Sequence, residues 1–261
     1  MLKTLYIAAT GMDAQQTRMD VIANNLANAQ TTGFKKVRAE FEDLLSQTLR
    51  GVTPPDARGG SVPAPLQVGL GVQPVATTRD LSQGDLVNTN NPLDLAVQGQ
   101  GYFQVQCANG ELAFTRAGNF SLDATGRLVD QSGELVQPGI TIPANTTAVT
   151  IKSDGTVWAT TGNNTTPTQV GALQLYNFPN PGGLEASGNN NFAETVASGN
   201  PIASKPGENG TGTLLQGYLE NSNISAVTEM VDMISTQRAY ELNSKAIQTA
   251  DQMLQKVTTL R

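Results

Sequence analysis

No histidine occurs anywhere in the 261-residue chain, and cysteine occurs once, as Cys107. The first absence removes Ser-His-Asp and Cys-His nucleophile systems, HExxH zinc sites and the commonest proton shuttle of neutral pH. An enzyme built from this chain would have to work with carboxylates, lysine or tyrosine. The second absence excludes an internal disulfide and a thiolate metal site, and it reads Cys107 as a small buried hydrophobe in a strand. No cofactor or metal is implied. Charged residues are sparse at 15%, aromatics at 5%, and the 38% apolar content is modest for a globular enzyme of this length, so the core is expected to be thin or divided. Gly, Asn, Thr and Gln are plentiful instead, a composition typical of β-rich extracellular or filament-forming proteins.

Long apolar runs are missing too. No stretch approaches the ~20 apolar residues of a membrane span, and MLKTLYIAATGMDAQQ lacks the apolar core of about 7 to 15 residues that marks a cleaved secretory signal. The chain is therefore expected not to be membrane-inserted, while export through an uncleaved N-terminus remains compatible with it. No basic run exceeds Lys35-Lys36. Residues 1–50 carry six Lys/Arg and five Asp/Glu and residues 218–261 four and five, which leaves six and twelve for the middle. The whole net charge of −6 sits in residues 51–217. Near-neutral ends suit packing against copies of the chain, and the lack of a basic face argues against nucleic acid.

What is present is patterned at both ends. Leu5, Met12, Met19 and Leu26 recur every seventh residue with Ala8, Ala9, Ile22 and Ala23 between them, which predicts one long amphipathic helix over residues 2–28. Gly11 interrupts it at about 1 kcal/mol relative to alanine, a cost that close helix approach would offset. At the other end Ala226, Met230, Met233, Gln237, Tyr240, Ser244, Ile247, Asp251 and Leu254 follow a 4-3-4-3 spacing. A second helix is predicted from about residue 224, with Ser222 or Asn223 as its N-cap.

Between the ends, PLDLAVQGQGYFQVQ, ELAFTRAGNFSLDATGRLVD, TAVTIKSDGTVWATT and VGALQLYNF alternate apolar and polar residues and are punctuated by Asn-Gly, Thr-Gly, Ser-Gly and Asp-Gly. The fold class that follows is α+β, with long N- and C-terminal helices forming a coiled-coil-like pair, an extended arm and a central, mostly antiparallel β domain. The expected domains are a terminal helical core from residues 1–32 and 220–261, an extended connecting arm from 33–79 and 201–219, and the β domain over 80–200. TPPDARGGSVPAPLQVGLGVQP, rich in Pro and Gly, makes the arm irregular. On pattern alone the two helices either pack as a pair on the β domain or leave it and pack between subunits.

Candidate carboxylates Asp94, Asp123, Asp130 and Asp154 stand beside turn residues, where a hydrogen-bonded turn aspartate is the ordinary reading. Gly-x-Gly at 69–71 and 99–101 lacks the third glycine and following helix of a phosphate loop. An enzyme is not expected; a β-rich fibre or adhesion module with helical ends is the competing non-enzymatic reading.

MLKTLYIAATGMDAQQTRMDVIANNLANAQTTGFKK resembles the N-terminal signature of the bacterial flagellar rod and hook proteins. GYLENSNISAVTEMVDMISTQRAYELNSKAIQTADQMLQ is similar to the family's second hallmark, and PLDLAVQGQGYFQV with TRAGNFSLDATGRLVD to its central β domain. The resemblance covers nearly the whole chain, in order. Within the family the central run and the absence of room for a further outer domain most resemble the distal-rod branch, with a hook or proximal rod subunit as the alternative. The resemblance implies an axial structural protein, exported unfolded by the flagellar type III apparatus. It also implies polymerisation into a straight hollow tube, spanning periplasm to outer membrane, that carries torque to the hook and serves as export channel. Implied partners are copies of itself, other rod proteins, the hook protein, the surrounding periplasmic and outer-membrane ring proteins and the export apparatus.

On that reading the N-terminal subunit interface comprises Leu5, Met12, Met19, Leu26, Asn24, Asn25, Asn28, Thr32, Gly33 and Phe34, with amides facing neighbours or a water-filled channel. Gly33 should turn the chain outward at positive φ, with Phe34 as anchor. The C-terminal interface comprises Met230, Met233, Gln237, Tyr240, Ser244, Ile247 and Leu254, the polar members setting register. Pro54, Pro55, Pro63 and Pro65 should hold the arm extended and stiff.

Overall fold

The computed structural model describes residues 2–51, 64–162 and 166–259. Pro54, Pro55 and Pro63 lie outside the described residues, and Pro65 is exposed. The chain divides into two compact units, one made of Met1–Leu26, Val37–Thr78 and Ser225–Arg261, the other of Ala27–Lys36 and Arg79–Ile224.

The first unit holds both long helices, Leu2–Ala27 and Ala226–Thr259. The second helix starts two residues later than the pattern suggested: Ser225 caps it through its carbonyl, which accepts from Glu229 N at 3.0 Å. Two contacts bring the helices alongside each other. A Cβ on Gly11 would stand 3.0 Å from Asn243 Nδ2, so the missing side chain is what lets the helices approach there. Farther along, Asn25 Nδ2 donates to Glu229 Oε2 at 3.1 Å. Moving toward the end of one helix moves the contact toward the start of the other, so the two run antiparallel. The same unit carries strand Val37–Asp43 beside Val72–Arg79, and a ribbon in which Gln47–Arg50 pairs antiparallel with Leu66–Val68. Among the described residues no helix is long and apolar enough to cross a membrane.

The second unit is antiparallel throughout its named strand pairs. A seven-stranded sheet runs in the order Glu185–Gly188, Asn191–Ala193, Leu112–Thr115, Phe103–Gln106, Leu135–Val136, Leu128–Val129, Ser121–Leu122. A three-stranded sheet holds Thr146–Ile151, Thr156–Thr161 and Thr168–Ala172. Side chains alternate across a strand, so the neighbours Tyr102 and Phe103 enter different cores. Phe103 joins Leu95, Val97, Phe120 and Leu175 in the larger one. Tyr102 joins Phe114, Phe178, Leu184 and Phe192 in an aromatic one, where Phe114 and Phe178 meet edge to face at 4.8 Å. The divided core that composition implied is therefore two small cores. Gly110, Gly126 and Gly155 turn the hairpins at φ +85, +79 and +83.

Residues 201–219, expected as part of an extended connecting arm, contribute strands to this unit. Ile202–Ser204 pairs with Leu175–Asn177, and Thr213–Gln216 pairs with Leu95–Gln98. Tyr218–Glu220 pairs with Leu86–Asn88.

Candidate functional site

The first helix stops at Ala27, before the stretch TTGFKK rather than at it, and the chain reaches Gly33 through turns. Gly33 has φ +70, is buried, and donates its N–H to Glu220 O at 2.8 Å. Phe34, expected as the anchor, is half-buried. The buried side chain is the next one, Lys35. Its ammonium donates to Glu220 Oε1 at 2.5 Å and to Ser82 O at 2.7 Å. Glu220 Oε1 also accepts from Gly84 N at 3.0 Å, and Oε2 accepts from Arg116 Nε at 2.7 Å. Arg116 spreads its remaining donors over the carbonyls of Val97, Gly99 and Gly101. Side-chain exposures of 3%, 0% and 6% for Lys35, Glu220 and Arg116 place this triad out of water.

Electrostatics follow from that burial. Loss of water alone would push the Glu220 carboxyl up, but the Arg116 guanidinium and the Lys35 ammonium outweigh it and hold it below its ordinary 4.5. Burial likewise lowers Lys35 from its ordinary 10.5, with Glu220 working against the shift. Two neighbouring side chains complete the junction. Asn190 Nδ2 donates to Thr32 O at 3.0 Å, and Asn223 Oδ1 accepts from Lys36 N at 2.8 Å while its Nδ2 donates to Asp80 O and Ser82. Asn223, expected as a helix cap, is thus spent on fastening the chain at residue 36.

A carboxylate whose folded value lies below its unfolded one contributes stability that is fully present above the unfolded value and is lost as pH falls through the folded one. For Glu220 that window opens at 4.5 and extends downward. The turn carboxylates Asp80, Asp123 and Asp154, each lowered by hydrogen bonds from its own turn, act in the same direction. The melting temperature is expected to be flat from about pH 7 to 5 and to fall steadily below about 4.5. Trp158 fluorescence across that range measures it, and a flat profile down to pH 3 would contradict the assignment.

The sequence-predicted interface residues take three kinds of position. Leu5, Met12, Met19, Leu26, Asn28 and Thr32 are half-buried, and Asn24 is exposed. Asn25 is 1% exposed and is used inside its own unit: Nδ2 donates to Val37 O at 2.8 Å and Oδ1 accepts from Val37 N at 3.0 Å. The amide thereby pairs with the backbone of residue 37 as a neighbouring strand would. On the C-terminal helix, Met233, Ser244, Ile247 and Leu254 are half-buried, whereas Met230, Gln237 and Tyr240 are exposed. The buried positions are Glu229, Thr236 and Ala250, one step round from the predicted seam, and Val227, Val231, Ile234 and Leu242 face water. The carboxylates considered for catalysis are engaged in turns: Asp123 Oδ1 accepts from Thr125 N and Arg127 N, Asp130 Oδ1 from Ser132 N and Glu134 N, Asp154 Oδ1 from Thr156 N. Asp94 is bound by Thr89 Oγ1 and Asn91 Nδ2.

Three family models match the chain. They are described as flagella basal body rod protein, over residues 5–35; flagellar hook protein FlgE/F/G D1 domain, over 96–159; and flagellar basal body rod FlgEFG protein C-terminal, over 215–260. Lys35, Arg116 and Glu220 fall one in each. The chain is 50% identical over 260 residues to the flagellar basal-body rod protein FlgG of Buchnera aphidicola subsp. Schizaphis graminum, covering 100% of both. It is 51% identical over 261 residues to that of Caulobacter vibrioides, again covering 100% of both. The flagellar hook protein FlgE of Helicobacter mustelae is 44% identical over 138 residues, which is 52% of this chain and 30% of that one. Full-length agreement is thus with rod proteins and partial agreement with a hook protein. The chain belongs to the FlgG family of flagellar basal-body rod proteins, structural subunits of the distal rod.

Proposed function

We propose that this chain polymerises into the straight, hollow distal rod, its terminal helices forming the inner tube by coiled-coil-like packing between copies. The tube transmits motor torque to the hook and serves as the export channel. The chain itself travels through the type III apparatus unfolded and without a cleaved signal, and the rod spans periplasm to outer membrane inside the ring proteins. The observation that supports this best is the set Val227, Val231 and Ile234, which are four and three residues apart and so share one helix face, apolar and exposed in the first turns of the chain's longest helix. Negative-stain images of concentrated protein test the reading: straight hollow tubes support it, curved tubes favour a hook, and globular particles alone refute it.

The stretch from 46 to 66 sets stiffness in this reading, because the ribbon that pairs Gln47–Arg50 with Leu66–Val68, lodged between copies, resists their sliding. Its deletion is expected to leave export and polymerisation intact and to give tubes that bend. Persistence length from the same micrographs measures this, and tubes of unchanged rigidity would reduce the stretch to a linker.

A further inference from the structure

The buried triad joins parts of the chain that lie far apart: residue 35 just past the first helix, residue 116 in mid-chain, and residue 220 just before the last helix. Glu220 is its hub. Its carboxylate accepts from Lys35, Gly84 and Arg116, and its own carbonyl accepts from Gly33. The strand that carries it, Tyr218–Glu220, pairs with Leu86–Asn88. If Glu220 is missing, Lys35 and Arg116 are two buried cations with no counter-charge, an arrangement that strongly destabilises a fold. If Lys35 is missing, Oε1 loses its charged donor and keeps only the backbone N–H of Gly84.

We infer that the Lys35–Glu220–Arg116 triad is a latch that ties the stability of the whole β-rich unit to the arrival of both ends of the chain. A chain held extended at either terminus cannot bring residue 35 and residue 220 together to Arg116, so the unit is left weakly closed. Once both are free, three segments lock together. The use of such a latch rests on the reading that the protein is exported unfolded: a subunit still threaded through a narrow channel would not fold stably and jam it. The cooperativity itself belongs to the free protein. A failure of the latch is therefore distinguishable from a failure of the export reading.

Segment-resolved hydrogen exchange on the full chain at pH 7 is the test, comparing the parent with Lys35→Met and Glu220→Gln. The strands to watch are Thr156–Thr161 and Thr168–Ala172, which carry no triad member. Protection there is expected to fall about ten- to a hundredfold in Lys35→Met and about a hundred- to a few thousandfold in Glu220→Gln. The drop should be equal across residues 79–224. A Glu220→Gln protein lacking protection throughout the unit also supports the latch, with Lys35→Met then giving the graded result. Loss confined to residues 27–36 and 82–88 in Lys35→Met, with the distant strands unchanged, overturns it.

Discussion

Replacing Ile234 by aspartate is expected to abolish polymerisation while leaving the monomer as stable as the parent. Ile234 is 53% exposed in the single chain, so a carboxylate there keeps its water and costs the monomer little. In a packed seam between copies the same carboxylate would be buried without a partner, at several kcal/mol. About 1.4 kcal/mol is a factor of ten in an equilibrium constant, so a loss of that size at every subunit contact removes tubes at any practical concentration. Sedimentation and micrographs report assembly, and helical circular dichroism reports melting of the unit that carries the two long helices. Tubes of normal length from the variant would show that this face is not used between copies, and a lowered melting temperature would show that it packs within the chain.

Changing Gly33 to valine is the second large effect, and it acts on the fold instead. The residue sits at φ +70, which costs an L residue about 1–2 kcal/mol and a β-branched one more. A Cβ would also stand 2.7 Å from Ala117 N and 2.8 Å from the carbonyl carbon of Arg116, both backbone atoms that cannot swing aside. Overpacking of that kind adds about 1–3 kcal/mol. A loss of about 3 kcal/mol or more is expected in denaturant melts, with Gly33→Ala showing a smaller share of it. An unchanged midpoint in Gly33→Val would sink the account of this turn.

Much of the architecture was legible because its signals are local. The first helix was bounded to within a residue, since its seven-residue apolar recurrence runs from Leu5 to Leu26 and stops there. The hairpins were marked by glycines that only positive φ requires. Residues 201–219 were not legible as strands, because each segment there is three or four residues long and pairs with a partner more than a hundred positions away, or, for Ile202–Ser204, with a strand already in the core. Short runs carry too little periodicity to separate a strand from a connector.

The two helices, the turn at Gly33, the β-rich middle and the family follow from the order of residues alone. Each of these depends on spacing or on the conformational range of single residues, which a linear text carries. What the charged and amide residues do depends on which partners the folded chain brings to them. Lys35, which composition would leave in water, is buried because Ser82 and Glu220 meet it there. Asn25, one of three asparagines that looked reserved for neighbours, is the bond partner of Val37 in its own unit. The buried side of the C-terminal helix lies one step from its most periodic seam, at Glu229, Thr236 and Ala250. The physical reason is the same in each case. A polar group enters an interior only when partners satisfy it, and whether those partners arrive is a property of the folded chain, set by residues tens to hundreds of positions away.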